Sequence, residues 1–165
     1  PNSELAEEAG LDCDNGILVN EYTQTSDPDI YAVGDCSNHP NALYGIRLRL
    51  ESVPNAVGQA KTAAMHIGGQ AKPYSDLPWF WSDQYNVKLQ TAGLMQGFDQ
   101  TVVRGDKDSD SFAVYYLKED YLIAVDAINS PADFMVGKLL VSKRVALSAE
   151  QIIAVDNPKE LMPAP

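Results

Sequence analysis

The run Thr25-Ser26-Asp27-Pro28-Asp29-Ile30-Tyr31-Ala32-Val33-Gly34-Asp35 ends a short apolar stretch on a glycine and a carboxylate. Ile30, Ala32 and Val33 suit a short buried strand, and Asp27-Pro28-Asp29 supplies the turn before it. Gly34 has no Cβ, so the backbone there can come close to something bulky. Asp35 follows at once, placed to accept hydrogen bonds from a sugar-like polyol. The plain alternative is a strand closed by an ordinary Gly-Asp turn.

Working outward from that run, the period changes at Ser52. Val53, Ala56, Val57, Ala60, Ala63, Ala64 and Ile67 fall on one helical face, which is expected to pack inward. Ser52 is the expected N-cap, Pro54 is tolerated in the first turn, and Gly68-Gly69 ends the helix. A helix N-terminus stabilises negative charge, and this one follows the Gly34-Asp35 run after a loop marked by Pro40, Asn41 and Gly45. The alternation in Arg47-Leu48-Arg49-Leu50-Glu51 predicts a short extended segment with both arginines on one side. Before the opening run, Pro1 to Leu11 reads as a short helix capped by Asn2 or Ser3, and Gly16 to Asn20 as a strand.

Pro73 and Pro78 with their turn-forming neighbours mark a boundary, giving units over residues 1–75 and 76–165. Both tryptophans fall in Pro78-Trp79-Phe80-Trp81-Ser82-Asp83-Gln84 just past it. Alternation sends Trp79 and Trp81 to one side and Phe80 to the other, a surface suited to a planar ring or a partner protein, or equally to a hydrophobic anchor between units. Beyond lie β-rich runs at Val87 to Ala92, Gln100 to Val103, Ser111 to Leu117 and Tyr121 to Ile128, spaced as an antiparallel meander. Ser130-Pro131 then opens a helix with Phe134, Val136 or Gly137, Leu140 and Val141 inward; a shorter helix starts at Ser148, and a loose tail ends at Pro163-Ala164-Pro165. The fold class is α+β.

Composition narrows the function. Of 165 residues 45% are apolar, enough for a packed core, and the net charge of −11 disfavours nucleic acid and anionic membranes as partners. No apolar run approaches the roughly 20 residues that span a bilayer, and no signal peptide opens the chain, so a cytoplasmic location is expected. Cys13 and Cys36 form no C-x-x-C pair and read as reduced thiols. His39 and His66 are isolated, with helix C-capping the expected role of His66. No metal site and no Cys-His or Ser-His-Asp arrangement is expected.

The ordered set Ile30-Tyr31-Ala32-Val33-Gly34-Asp35-Cys36, Tyr44-Gly45, Arg49-Leu50-Glu51-Ser52-Val53-Pro54-Asn55-Ala56 and Pro78-Trp79-Phe80-Trp81-Ser82-Asp83-Gln84-Tyr85 resembles the ferredoxin reductases of bacterial oxygenase systems. The resemblance spans nearly the whole chain, but only the last stretch of the family's architecture. Neither of the family's G-x-G-x-x-G phosphate-binding turns is present, and Gly68-Gly69-Gln70 does not supply one. The expectation is therefore a C-terminal piece: the end of an FAD-binding α/β domain followed by a C-terminal antiparallel sheet with packed helices.

The resemblance implies FAD as cofactor and NADH as substrate of the parent enzyme, with a [2Fe-2S] ferredoxin or rubredoxin as electron acceptor. It implies that Gly34 and Asp35 meet the ribityl chain, that Glu51, Ser52, Val53 and Pro54 lie beside the flavin ring, and that Trp79, Phe80 and Trp81 flank it. Arg47 and Arg49, with Trp81, are the candidates for meeting the acceptor protein, against a plain reading of both arginines as a solvated strand edge. A flavin performs the redox chemistry itself, so no protein residue is assigned as catalytic. The alternatives are an inactive interaction module that forms a homodimer, or a related NADH oxidase or quinone reductase.

Overall fold

A computed structural model describes residues 1–163. Ala164 and Pro165, the end of the expected loose tail, lie outside the described residues. The chain divides into two compact units, Pro1–Pro78 and Trp79–Pro165.

The first unit opens with α1 (Glu4–Glu8), where the Ser3 hydroxyl donates to Glu7 Oε1 at 2.6 Å and caps no amide. Strand β1 (Ile17–Leu18) pairs in parallel with β2 (Ser37–Asn41), which forms an antiparallel hairpin with β3 (Ile46–Arg49). The expected loop at Pro40-Asn41 is thus part of a strand. Ser37, Asn38, His39 and Asn41 are polar and carry no alternation, so pattern alone could not find it. The expected strand at Ile30 to Val33 is also absent. Its hydrogen bonds go into a tight return, with Ala32 N–H donating to Thr23 O at 3.1 Å and Thr25 N–H to Ile30 O at 2.9 Å. One isolated bridge, Gln24 to Tyr31, is all the pairing it has, and Ile30 is exposed.

Helix α2 (Val53–Ile67) starts where expected, with the Ser52 hydroxyl accepting the Asn55 amide at 3.3 Å and Pro54 in the first turn. Its buried face is rotated from the expected one toward Asn55, Gln59 and Thr62, keeping Ala63 of the expected set. Asn55, Gln59, Thr62 and Ala63 are buried, while Val53 is 61% exposed, Val57 47% and Ile67 69%. The helix turns its polar side inward because the segment it packs on offers hydrogen-bonding groups, and each buried polar side chain there needs a partner. His66 does not cap this helix. Its Nδ1 lies 2.7 Å from the Tyr31 hydroxyl and its ring stacks on Tyr22 at 4.7 Å, pinning the last turn to the Thr23–Ala32 return.

The second unit is a five-stranded antiparallel sheet of β4 (Trp79–Gln84), β5 (Val87–Gly93), β6 (Gln100–Gly105), β7 (Phe112–Lys118) and β8 (Tyr121–Ile128), in the order β4-β5-β8-β7-β6. Four strands fall on the expected runs and β4 adds the aromatic segment as a fifth, but they do not form a simple meander: β8 inserts between β5 and β7, and β6 takes the far edge. Helix α3 (Pro131–Ser142) covers one face, burying Phe134, Val136, Gly137, Leu140 and Val141. The approach at Gly137 is close enough that a Cβ there would sit 2.5 Å from Val125 Cγ1. A capping box at Ser148 and Gln151 starts α4 (Ala149–Ala154). No helix among the described residues is long and apolar enough to cross a membrane.

Candidate functional site

In the first unit the site is built around one turn. After Val33 the chain enters a single 3-10 turn, Gly34 to Cys36, with Gly34 at φ +80°. A Cβ on Gly34 would stand 3.3 Å from the Ala56 Cβ in the first turns of α2. Glycine is needed for both the left-handed backbone and the close approach. The turn is buried at Gly34 and exposed at Asp35, so a clamped backbone presents a free-standing carboxylate beside the N-terminal turns of α2.

Two side chains that sequence reasoning passed over hold that turn from behind. Gln59 Oε1 accepts the Gly34 amide at 2.6 Å and lies 2.7 Å from Ser37 Oγ, whose hydroxyl is also 2.9 Å from the Gly34 carbonyl. Asn55 extends the polar layer, taking the Tyr74 hydroxyl on Oδ1 at 3.1 Å and donating to Leu50 O at 3.1 Å. Burial pushes the Tyr74 phenol well above its usual range, with the nearby Asp76 charge adding to the effect. The signal for these residues was Asn55, Gln59 and Thr62 at i, i+4 and i+7, a polar stripe on an otherwise apolar helix.

The remaining candidates of this unit are placed as follows. Ser52 caps α2, Pro54 sits in its first turn and Val53 is exposed. Glu51 accepts from Arg49 NH1 at 2.5 Å, and that hydrogen bond and charge hold its carboxyl below the usual range. Arg49 also donates to Asp35 O at 3.1 Å and Asn15 Oδ1 at 3.1 Å, tying the turn to the hairpin. Arg47 donates to the carbonyls of Val19 and Asn38. Both arginines thus hydrogen-bond within this unit, Arg47 from an exposed position and Arg49 from a half-buried one. Among the described residues no cluster of metal-ligating side chains occurs.

In the second unit, described by itself, the candidates lie on the aromatic strand β4. Trp79 and Trp81 lie on one face of β4 with ring centroids 5.6 Å apart, and Phe80 points to the other face, with Phe80 and Trp81 each 39% exposed. Trp79 packs on Phe134 at 5.8 Å, and Lys138 Nζ sits 4.0 Å over its ring, a cation–π contact that fixes the indole on α3.

Residues 79–163, more than half of the chain, match the family described as reductase C-terminal. The chain belongs to that family. Residues 1–60 match a second one, pyridine nucleotide-disulphide oxidoreductase. Among curated relatives, putidaredoxin reductase of Pseudomonas putida is 46% identical over 145 residues, covering 88% of this chain and 34% of that protein. Rhodocoxin reductase of Rhodococcus erythropolis is 43% identical over 156 residues, covering 94% of this chain and 36% of that protein. Among solved structures, a ferredoxin reductase for the CYP199A2 system of Rhodopseudomonas palustris superposes with a TM-score of 0.90 at 41% identity, over 98% of this chain and 40% of that one. A covalent putidaredoxin reductase–putidaredoxin complex matches with a TM-score of 0.84 at 46% identity, over 88% of this chain and 35% of the other. The chain thus spans a little over a third of the length of the curated relatives it matches. A membership read from the motifs of the opening run, the Ser52 helix and the aromatic strand agrees with these matches.

Proposed function

We propose that this chain works as the C-terminal part of an FAD-dependent, NADH-oxidising reductase that delivers electrons to a [2Fe-2S] ferredoxin or a rubredoxin. The observation that carries the reading is the Gly34-Asp35 turn: a buried, doubly constrained glycine followed by an exposed carboxylate next to the N-terminal turns of α2. Those residues fit a flavin. Asp35 has acceptor oxygens for the hydroxyls of a ribityl chain. The α2 N-terminus supplies positive potential for a ring that becomes more negative on reduction. Bound FAD would accept hydride from NADH and release electrons singly, and the chain's residues bind, orient and electrostatically bias it. Arg49 keeps Glu51 ionised and engaged, so its charge is partly neutralised rather than free to oppose a reduced flavin. The exposed aromatic side chains of Phe80 and Trp81 suit cover for a planar ring or contact with the acceptor protein. We place the activity in the cytoplasm, in keeping with two free cysteines.

The test is FAD retention. The 165-residue chain lacks both phosphate-binding turns and is expected to leave a desalting column without flavin absorbance. The reductase polypeptide carrying this chain at its C-terminal end is expected to retain it, and Asp35→Ala should weaken FAD binding at least about tenfold, or about 1.4 kcal/mol. Unchanged affinity in Asp35→Ala would overturn the assignment. A second reading, self-association of the isolated chain, rests on the exposed stripe of Val53, Val57 and Ile67. Light scattering is expected to show concentration-dependent dimer for this chain, lost in Val57→Glu; a strict monomer would end that reading.

A further inference from the structure

We propose that Gln59 is the positioning residue of the flavin site, acting through the Gly34 amide to set where Asp35 presents its carboxylate. This inference rests on the flavin reading above. Gln59 is 0% exposed and sits one helical turn beyond Asn55 on the buried side of α2. A backbone N–H can only donate, so the 2.6 Å contact with Gly34 fixes Oε1, not Nε2, as the atom facing the turn. That orientation leaves Nε2 buried with no hydrogen-bond partner among the described residues. The side chain therefore satisfies the turn at the expense of its own donor, an arrangement that packing alone does not require.

The consequence for Asp35 is geometric. Gly34 has the left-handed backbone at φ +80° and touches Ala56, and its amide is bonded to Gln59 one turn further along the same helix, with Ser37 on the same oxygen, so the turn is fastened to α2 at two points. Only the next residue, Asp35, emerges to the surface. Without the Gln59 acceptor the buried Gly34 amide would seek water, the turn would tilt away from α2, and the carboxylate would move relative to the helix N-terminus. A displacement of about 1 Å is enough to weaken an oriented polar contact severely.

Two near-isosteric substitutions separate positioning from packing. Gln59→Met keeps the volume and removes the acceptor, whereas Gln59→Glu keeps an acceptor oxygen for Gly34 and Ser37. In the reductase polypeptide carrying this chain, Gln59→Met is expected to raise the FAD dissociation constant about tenfold, and Gln59→Glu to restore most of the loss. In the 165-residue chain, hydrogen exchange at the Gly34 amide should accelerate at least about tenfold in Gln59→Met while amides of β5 and β8 keep their protection. A packing role predicts the opposite order, with Met tolerated and Glu damaging, and that result overturns the proposal. If Gln59→Met fails to fold, Ser37→Ala, which removes the second donor to Oε1, carries the same expectation at about threefold. If Asp35→Ala loses FAD and the Gln59 variants keep it, the flavin reading stands and the role of Gln59 falls. If Asp35→Ala also keeps FAD, the flavin reading itself falls.

Discussion

Asp133→Ala is expected to destabilise the second unit by about 3–5 kcal/mol, the largest effect of any single substitution considered for this chain. Asp133 stands in the first turn of α3 and is almost buried, as is its partner Arg104 on β6, with side-chain exposures of 11% and 10%. Arg104 Nε donates to Asp133 Oδ1 at 2.9 Å, the buried Tyr115 hydroxyl donates to the same oxygen at 2.8 Å, and Ser130 Oγ donates to Oδ2 at 2.6 Å. The same guanidinium reaches the carbonyls of Ile152, Val155 and Asp156, where α4 ends. Burial first, and then the Asp133 hydrogen bond and charge, push the Tyr115 phenol above its normal range, in keeping with its role as a donor to Asp133.

One carboxylate thus joins β6, β7, α3 and the exit of α4. Removing it strands a buried guanidinium and leaves the Tyr115 hydroxyl without its acceptor. Replacing both charges by apolar residues, Arg104→Met with Asp133→Leu, should recover most of the loss, because no unpaired charge remains. Urea unfolding followed by tryptophan fluorescence reads this unit selectively, since Trp79 and Trp81 both lie in it. A loss below about 1 kcal/mol for Asp133→Ala would show that the network is not what holds the helices to the sheet.

The sequence disclosed elements wherever apolar periodicity or cap chemistry was strong. The strands of the second unit, the Ser148 capping box and both ends of α2 are legible for that reason. The polar layer of the first unit was not. Strand β2 is built from Ser37, Asn38, His39, Pro40 and Asn41, none of which signals a strand, and its existence depends on pairing with β3 nine residues later. The same cause rotated the buried face of α2 away from its apolar stripe. An apolar stripe normally marks the core, but here the buried stripe is Asn55, Gln59 and Thr62, because the neighbouring segment presents an amide and hydroxyls to be bonded. Asp35 was legible as a candidate because it follows a glycine. Gln59 shows locally only as one member of a polar stripe, and nothing in the sequence ties it to a glycine 25 residues away.

His39 makes the cost of that polar layer measurable as a dependence on pH. It is 1% exposed, neither ring nitrogen has a hydrogen-bond partner among the described residues, and its ring meets Tyr74 edge-on at 5.2 Å. Burial above all, and then the Arg47 charge, lower its pKa from 6.5 to about 4. The native state therefore holds His39 neutral, while the unfolded chain takes up a proton as pH falls through 6.5. Protons bound preferentially by the unfolded state pull the equilibrium toward it, so stability is complete above pH 6.5 and falls until about pH 4, where the native ring also protonates. Between pH 7 and pH 5 the expected loss is about 2 kcal/mol. His39→Phe should abolish that loss and be at least as stable as the parent at pH 7, because an apolar ring of similar shape needs no hydrogen bonds. Hydrogen exchange of the β2 and α2 amides, corrected for intrinsic rates, reads the first unit, which contains no tryptophan. The difference between His39→Phe and the parent cancels the carboxylates, including Asp126, whose burial raises its pKa and whose protonation favours the native state. Equal pH slopes in the two proteins would mean that the native state accommodates a charged His39, and that the layer beneath the Asp35 turn is wetter than its burial indicates.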